Sequence, residues 1–342
     1  MGGNALKHTE TRRYNADEYR RAFHKISVGL TKFCNLCYLV PSYSSKESFG
    51  DMDVVVVPNS SNMNDLVENI WREFSPNEVV RNSNIVSFNY KDLQVDLLVQ
   101  PDAKTAFFAY DYFSYNDLGN FMGRTAHRLG FKFGHTGLMY VLRNPENETE
   151  VISEILVTDE FGQALEFMGY DQYFHARGFE TKEEIFDYAA SSKYFEPAQY
   201  LLENRPSEAR RRDRTRVMYQ EILKYFEKKF NLQPGTPKKE VDREEHLQRA
   251  FEQFPKFKAR FNESLNKHRL EQRFKANFNG EVFSALLNVE GKQLGERMKK
   301  YRKYFERHDL KKWVGDLSPN AFKAVVLSLE LEVNSEDLVD GN

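Results

Sequence analysis

The sequence lacks the features that mark several large classes of protein. Its 342 residues include only two cysteines, Cys34 and Cys37, too few for a disulfide-stapled fold and, without further ligands, for a tetrahedral zinc site. No apolar run approaches the roughly 18 residues that cross a bilayer, and residues 1–13 contain no signal-type apolar segment. We therefore expect a soluble, cytoplasmic protein without a membrane partner, and the sequence indicates no obligate protein partner.

An overall excess of positive charge is also missing. The formal net charge is −2, so composition alone does not indicate a nucleic-acid partner. Aromatic residues are abundant, with 28 Phe and 18 Tyr, and much of this content must be core because buried aromatic rings contribute heavily to folding.

The most informative feature is a pair of carboxylates at the start of a very apolar strand. Asp51 and Asp53 precede four consecutive valines, residues 54–57. Because side chains alternate along a strand, these two carboxylates should share a face. Asp96 interrupts a second apolar run, residues 95–99, where a lone charge is costly without a partner. We predict that the three carboxylates are catalytic and bind a divalent cation, since hard cations prefer carboxylate oxygens.

A purely structural interpretation of these residues remains open. Asp51 can cap a turn, Asp53 can begin a strand, and Asp96 can pair with a buried arginine. The combination favours catalysis, because a serine-rich loop precedes the pair and the third Asp lies on a nearby hairpin strand.

The pattern of apolar residues predicts an α+β protein. Helix 16–31, capped by Asn15 or Asp17, is followed by strands 37–40 and 52–57, helix 64–74 and a hairpin of strands 84–90 and 93–100. We predict a catalytic domain over residues 1–115, a thumb-like extension over 116–230 and a helical nucleic-acid-binding domain over 231–342. Within these, residues 196–230 are predicted as one helical stretch, and the prolines and glycine of 231–237 as a boundary.

The carboxylate segment resembles a known motif. Ser42-Tyr43, Lys46 and Gly50-Asp51-Met52-Asp53-Val54 are similar to the nucleotide-binding motif of the polymerase-β nucleotidyltransferase superfamily, and most of all to family X DNA polymerases. Pro41 replaces the first glycine of that motif, Ser44 and Ser45 replace its paired arginines, and the spacer before Asp51 is shorter. The resemblance implies a polymerase-β-like palm, a mixed sheet with helices, followed by an all-helical C-terminal domain.

The resemblance also implies a binding site for an NTP or dNTP. The Ser42 hydroxyl and the backbone N–H groups of the loop are placed to hold the triphosphate. The predicted nucleotide-binding residues of this loop are Ser42, Ser44, Lys46 and Gly50. Three further cations could reach the triphosphate from the helix and loop that follow the third Asp, namely Arg124, Arg128 and Lys132.

Three other segments carry weaker resemblances. Residues 124–138 and 183–197 are similar to the helix-strand and closing thumb segments of family X enzymes. Residues 278–295, with Asn279-Gly280 and Gly291 to Gly295, resemble the tail segment of CCA-adding tRNA nucleotidyltransferases and poly(A) polymerases. A glycine-rich turn before a helix can approach a phosphate backbone, although a plain helical hairpin explains the same pattern.

Two basic segments are candidates for contact with nucleic acid. Residues 205–216 are rich in arginine, and residues 292–312 are rich in lysine and arginine, with interleaved aromatics that could stack on bases. Solvated helix faces with inward-packed aromatics are the alternative interpretation. The predicted nucleic-acid-binding residues are Arg210, Arg211, Arg212, Arg214, Lys292, Lys299, Lys300 and Lys303.

Together these features predict a nucleotidyltransferase that uses two Mg²⁺ or Mn²⁺ ions. It would transfer a nucleoside monophosphate to the 3′ hydroxyl of RNA, such as a tRNA end, or of DNA, and release pyrophosphate. Two alternatives stay open: nucleotidylation of a protein or small molecule, and a catalytically degenerate protein that only binds nucleic acid.

Overall fold

The computed structural model describes residues 5–335. The fold combines a mixed five-stranded sheet, two smaller sheets and many helices, with an all-helical C-terminal region, which confirms the α+β class. No helix among the described residues has the length and apolar composition that a bilayer crossing needs.

Strands and helices alternate as far as residue 158, and the described residues after it form helices and loops. The strands are β1 (Tyr14–Asn15), β2 (Cys34–Leu39), β3 (Ser48–Phe49), β4 (Asp51–Pro58), β5 (Val79–Asn82), β6 (Ile85–Tyr90), β7 (Leu93–Val99), β8 (Phe131–Gly134), β9 (Gly137–Asn144) and β10 (Asn147–Thr158). The helices are α1 (Ala16–Leu30), α2 (Met63–Phe74), α3 (Ala103–Phe113), α4 (Leu118–Arg128), α5 (Phe161–Phe167), α6 (Gln172–Arg177), α7 (Lys182–Ala189), α8 (Ser207–Thr215), α9 (Val217–Phe230), α10 (Arg243–Gln253), α11 (Pro255–Asn277), α12 (Gly280–Leu287), α13 (Gly291–Arg307), α14 (Lys311–Asp316), α15 (Pro319–Ser328) and α16 (Glu330–Ser335).

The five-stranded sheet has the order β2-β4-β7-β6-β5. β4 and β7 run parallel, and every other neighbouring pair is antiparallel. One face of the sheet packs against α1 and α2 around Met52, Val54 and Val56. The opposite face packs Val55, Val57 and Leu98 against α3. Because successive residues of β4 point to opposite faces, the sheet is buried on both sides there and the strand is apolar throughout.

The start of α1 follows directly from its sequence. The Asn15 side-chain oxygen accepts the N–H groups of Asp17 and Glu18 at 3.1 and 2.9 Å, and the Glu18 carboxylate accepts the Asn15 N–H at 3.1 Å. This reciprocal capping satisfies donors that the first helical turn leaves unpaired. The predicted helix is confirmed, and of the two candidate caps Asn15 is the one used.

The prediction of one continuous helix over residues 196–230 is wrong. Two short 3₁₀ turns, Pro197–Tyr200 and Leu202–Asn204, precede α8 and α9. Pro206 ends the first part because a residue before proline avoids helical geometry. Arg216 then adopts an extended conformation between α8 and α9, and its guanidinium pairs with Asp117 at 3.2 Å.

The chain divides into two compact units. The first contains the residues up to Val141 and Glu154–Phe257, and the second contains Leu142–Ser153 and the residues from Lys258 onward. The second unit has an aromatic core of its own, centred on Phe283, Tyr301, Phe305 and Phe322. The division therefore falls after Phe257 rather than at residues 230/231, and the three functional domains stay a prediction.

Candidate active site

The register of β4 and β7 brings the predicted carboxylates together. Asp53 lies directly beside Asp96 on the parallel neighbour strand, and Asp51 lies beside Gln94. All three aspartates are half-buried and have the same strand parity as Val55, Val57 and Leu98, so they continue the face that α3 covers. The sequence pattern placed Asp51 and Asp53 on one face, and the parallel pairing adds Asp96 to it.

Burial and mutual repulsion both disfavour the ionised forms of this cluster, and burial has the larger effect. Burial raises the pKa of Asp53, and the neighbouring charges of Asp51 and Asp96 raise it further, while Lys46 opposes them. Burial also raises the pKa of Asp96, although hydrogen bonds from Ser87 and Gln94 act in the other direction. Three carboxylates close to a single lysine have too little positive charge to balance them, and a donor set made of carboxylates suits Mg²⁺ or Mn²⁺.

Gln94 holds the Asp96 carboxylate and was missed by the sequence analysis. Its side-chain N–H₂ donates to both Asp96 oxygens, at 3.0 and 2.9 Å. Its carbonyl oxygen accepts the Ala5 N–H at 3.0 Å, so the amide orientation is set by both of its ends. Gln94 precedes Asp96 by two residues on the same strand, so strand alternation was the signal that could have identified it.

Lys46 and Ser42 lie together beside the carboxylates. The Lys46 ammonium donates to the Ser42 hydroxyl at 3.2 Å and sits 4.8 Å from the centre of the Phe49 ring. Phe49 in turn stacks on Tyr19 of α1, with ring centres 4.1 Å apart. Burial lowers the pKa of Lys46, and the charges of Asp51 and Asp53 counteract this. Lys46, the lysine that the motif predicted, is therefore the positive charge that lowers the pKa of Asp53.

The loop before β4 is fixed by backbone hydrogen bonds. Ser44 and Ser45 donate their N–H groups to the carbonyls of Phe179 and Glu180, at 2.9 and 3.0 Å, and Tyr115 donates to the Pro41 carbonyl at 2.8 Å. The amides of Ser44 and Ser45 are thus already used and are not free to hold a triphosphate as predicted. The Ser44 side chain is exposed, and Gly50 lies between β3 and β4.

The contacts of Arg124, Arg128 and Lys132 are with residues other than the three aspartates. Arg124 and Arg128 line a separate cavity. Lys132 pairs with Glu154 at 2.8 Å on the surface of the β8–β10 sheet. Their contact with a triphosphate at the carboxylates stays a prediction, which these contacts do not favour.

The predicted nucleic-acid-binding residues fall on two helices, one in each unit. On α8, Arg211, Arg212 and Arg214 are exposed, whereas Arg210 folds back to donate to the carbonyls of Glu203 and Arg205 at 3.3 and 3.0 Å.

On α13, Lys292, Lys299 and Lys303 are exposed and Lys300 is half-buried. Tyr301, Tyr304 and Phe305 are buried in the core of the second unit, so the interpretation of these rings as base-stacking platforms is wrong. Helical spacing places every third or fourth residue on one face, which is why the rings point inward and the lysines outward.

Within residues 5–335, no three His, Cys, Asp or Glu side chains are arranged as a ready metal-binding group. No protein-family model matches the chain, and no curated protein is significantly similar to it.

Proposed function

We propose that the protein is a metal-dependent nucleotidyltransferase built on a polymerase-β-like palm. It transfers a nucleoside monophosphate from an NTP or dNTP to the 3′ hydroxyl of a nucleic acid. The observation that carries the proposal is the pairing of β4 with β7, which sets Asp53 beside Asp96 and leaves Asp51 on the same face. The position of Lys46 beside this cluster supports it, because a nucleotide triphosphate needs positive charge nearby.

Each polar residue of the cluster has a distinct role in this proposal. Asp51 and Asp53 would bind both divalent cations, and Asp96 would bind the one nearer the acceptor hydroxyl. The cations supply charge neutralisation and activate the hydroxyl. Lys46 and Ser42 contact the phosphates, while Gln94 orients Asp96.

The reaction itself is a substitution at phosphorus. The acceptor 3′ oxygen forms a bond to the α-phosphorus, the bond from that phosphorus to the bridging oxygen breaks, and pyrophosphate leaves. Asp96 would accept the hydroxyl proton as the general base.

The exposed cations of α8 and α13 support a polymeric acceptor. Arg211, Arg212 and Arg214 on one helix, and Lys292, Lys299 and Lys303 on the other, present exposed positive charge to solvent, although Arg212 also lies 3.6 Å from Asp213 and Lys292 lies 3.9 Å from Glu296. In the segment that resembles CCA-adding enzymes, Asn279 caps α12 by accepting the Val282 N–H at 2.9 Å, and Gly291 begins α13 with φ +55°. This helix–turn–helix favours RNA, whereas the thumb-like segment favours DNA.

The test is incorporation of labelled NTPs and dNTPs onto tRNA, generic RNA and primed DNA with Mg²⁺ or Mn²⁺. We expect label on one of these polymers, and loss of at least about a hundredfold in Asp53→Asn because that variant lacks a metal ligand. The matched control is Glu68→Gln, which removes an exposed carboxylate of α2 and should stay active. Label on a protein or small molecule instead would support the alternative acceptor, and no label anywhere would contradict transfer.

A further inference from the structure

The first unit contains a strongly basic cavity of about 440 Å³ that the proposed function does not use. Its wall comes from the C-terminal half of α4, from residues 199–206 and from residues 238–243. Two carboxylates, Glu203 and Glu240, also line it. Its cationic lining residues are Arg124, Arg128, Arg205, Lys238, Lys239 and Arg243.

Some of these cations hold the wall together. Arg243 donates to the carbonyls of His127 and Arg128, at 3.2 and 3.4 Å, and Arg128 donates to the Lys239 carbonyl. Arg205 and Arg124 both donate to one oxygen of the buried Asp213, each at 3.2 Å. The cavity is therefore shaped by hydrogen bonds between its three wall segments.

Other donors of the lining residues have no hydrogen-bond partner among residues 5–335, although the Arg124 guanidinium also lies over the rings of Tyr200 and Tyr219, 5.0 and 4.4 Å from their centres. The Nε and Nη1 atoms of Arg124 are buried without a hydrogen bond, and so is the Nε2 atom of Gln199. Arg124 is only 6% exposed and Gln199 8% exposed. A buried unpaired donor costs about 1–3 kcal/mol, and more when it is charged, so two such residues lining one cavity indicate a missing acceptor.

The electrostatic environment favours an acceptor with negative charge. Two acidic residues also line the cavity. One carboxylate oxygen of Glu203 accepts the Gly235 N–H at 2.6 Å, and Glu240 is exposed. The Lys238 and Lys239 side chains are exposed, with no recorded ion pair in the described part of the chain. Burial lowers the pKa of His127, and the charges of Arg243, Arg205, Lys238 and Arg124 lower it further, as a field of positive sign requires.

We propose that this cavity binds a phosphorylated anion. Arg124 and Gln199 donate to its phosphate oxygens, and Lys238 and Lys239 neutralise its charge at the opening. A phosphate group suits the site better than a carboxylate because it offers more acceptor oxygens and more charge to this many cations. The volume lies within the roughly 300–1,000 Å³ of known ligand pockets, so the whole ligand can be as large as a nucleotide.

The cavity is distinct from the carboxylate cluster. Tyr115, three residues before α4, donates its N–H to the Pro41 carbonyl, so the N-terminal end of α4 lies near the loop that precedes the aspartates. Arg128 ends the same helix ten residues beyond Leu118, which corresponds to about 15 Å along the axis. The phosphate site therefore does not depend on the proposed catalytic function.

The test is titration of the metal-free protein, in EDTA, with inorganic pyrophosphate by isothermal calorimetry. We expect Lys238→Gln/Lys239→Gln to bind at least about tenfold more weakly, because two contacts to a charged group are lost. The matched control is Lys224→Gln/Lys228→Gln, which removes two exposed lysines of α9 and should bind like the wild type. Asp53→Asn should also bind normally, which separates this site from the carboxylates.

An NMR titration of His127 provides a second readout that does not depend on a variant. Bound anion should raise the pKa of His127 by offsetting the positive field. Equal pyrophosphate affinity in the two lysine variants, together with an unchanged His127 titration, would overturn the proposal. Competition by a short oligonucleotide identifies a nucleic-acid phosphate as the source, and its failure with pyrophosphate still bound identifies a free anion.

Discussion

At the scale of single residues, the proposed function depends on three aspartates that repel one another. The ionised form of Asp53 is strongly disfavoured, because burial and the charges of Asp51 and Asp96 all raise its pKa. Buried carboxylates whose pKa values are strongly raised are typical of functional sites. Binding a divalent cation is the use that the donor chemistry indicates.

The first prediction is that Asp53→Asn stabilises the metal-free protein near pH 7. The folded-state pKa of Asp53 lies above its unfolded value, so its carboxyl contributes stability below an unfolded pKa of about 4. That contribution is lost as the pH rises toward the folded pKa. Asparagine escapes this loss, so we expect a gain of at least about 1 kcal/mol.

Urea unfolding in EDTA between pH 4 and pH 8 measures this effect. The difference between Asp53→Asn and the wild type should grow with pH across that window. Glu68→Gln should change the unfolding free energy by no more than about 0.5 kcal/mol, as for most exposed positions. A destabilised Asp53→Asn at pH 7 would show that the carboxylate has a structural role.

The second prediction concerns Gln94. Its hydrogen bonds favour the charged form of Asp96, so Gln94→Leu should raise the pKa of that carboxyl. The Asp96 carboxyl of the metal-free protein should then titrate about one unit higher, since a hydrogen bond to a charged group contributes about 1.5–3 kcal/mol. Gln100→Leu removes another buried glutamine and should leave this titration in place. An NMR titration in EDTA measures the shift, and an unshifted Asp96 in Gln94→Leu would contradict the role of Gln94.

At the scale of elements, periodicity predicted most of the fold that positions the aspartates. Helices α1 and α2 and the β6–β7 hairpin were predicted to within a few residues, because their apolar residues follow clear helical or strand spacing. Helix α3 was missed. Its sequence, AKTAFFAYDYF, is apolar on several sides since it packs against the sheet, so no amphipathic pattern marks it.

Pairing between distant strands was beyond the sequence analysis. Nothing in residues 51–53 and 94–96 specifies that β4 and β7 are parallel neighbours, because register depends on the whole sheet. The basic cavity was missed for the same reason. It combines α4 with segments 199–206 and 238–243, which are far apart in the chain, although Arg124 and Arg128 were recognised as binding candidates.

The third prediction belongs to helix α13. Replacing Lys292, Lys299 and Lys303 by Gln should weaken binding to single-stranded RNA and flatten its salt dependence. The slope of log K against log salt should fall by about two, because each neutralised phosphate contributes about 0.7 for single strands. Filter binding at several salt concentrations measures this slope.

A matched triple variant controls for the loss of charge. Lys267, Lys275 and Lys323 are exposed lysines of the same unit but lie on other helices. Their replacement by Gln should leave the slope close to that of the wild type. An equal loss in both triple variants would mean that α13 attracts RNA only through overall charge.

At the scale of the whole molecule, the carboxylate site lies in one compact unit, whereas the proposed nucleic-acid contacts lie in both. The three aspartates, Lys46 and both faces of the five-stranded sheet belong to the first unit, and α13 belongs to the second. The boundary after Phe257 follows the contacts within each unit, whereas the prolines of residues 231–237 only mark a loop between α9 and α10. Turn residues thus identified a break in secondary structure but not the end of a unit.

The fourth prediction is that a chain ending at Phe257 keeps the metal site and loses the part of the RNA affinity that α13 supplies. It retains both cores that surround the five-stranded sheet. A cooperative thermal transition and Mn²⁺ affinity equal to that of the full chain are the expected results. A truncated chain that folds but binds RNA as tightly as the full chain would exclude α13 from the nucleic-acid surface.

The most direct test of the carboxylate site is Mn²⁺ binding followed by the electron paramagnetic resonance signal of the free ion. It needs no knowledge of the acceptor. The account predicts that the wild type and Glu68→Gln deplete the free Mn²⁺ signal, whereas Asp53→Asn does not. Asp53→Asn that binds Mn²⁺ as tightly as Glu68→Gln, or a wild type that binds none, would contradict the assignment of Asp51, Asp53 and Asp96 as a metal site.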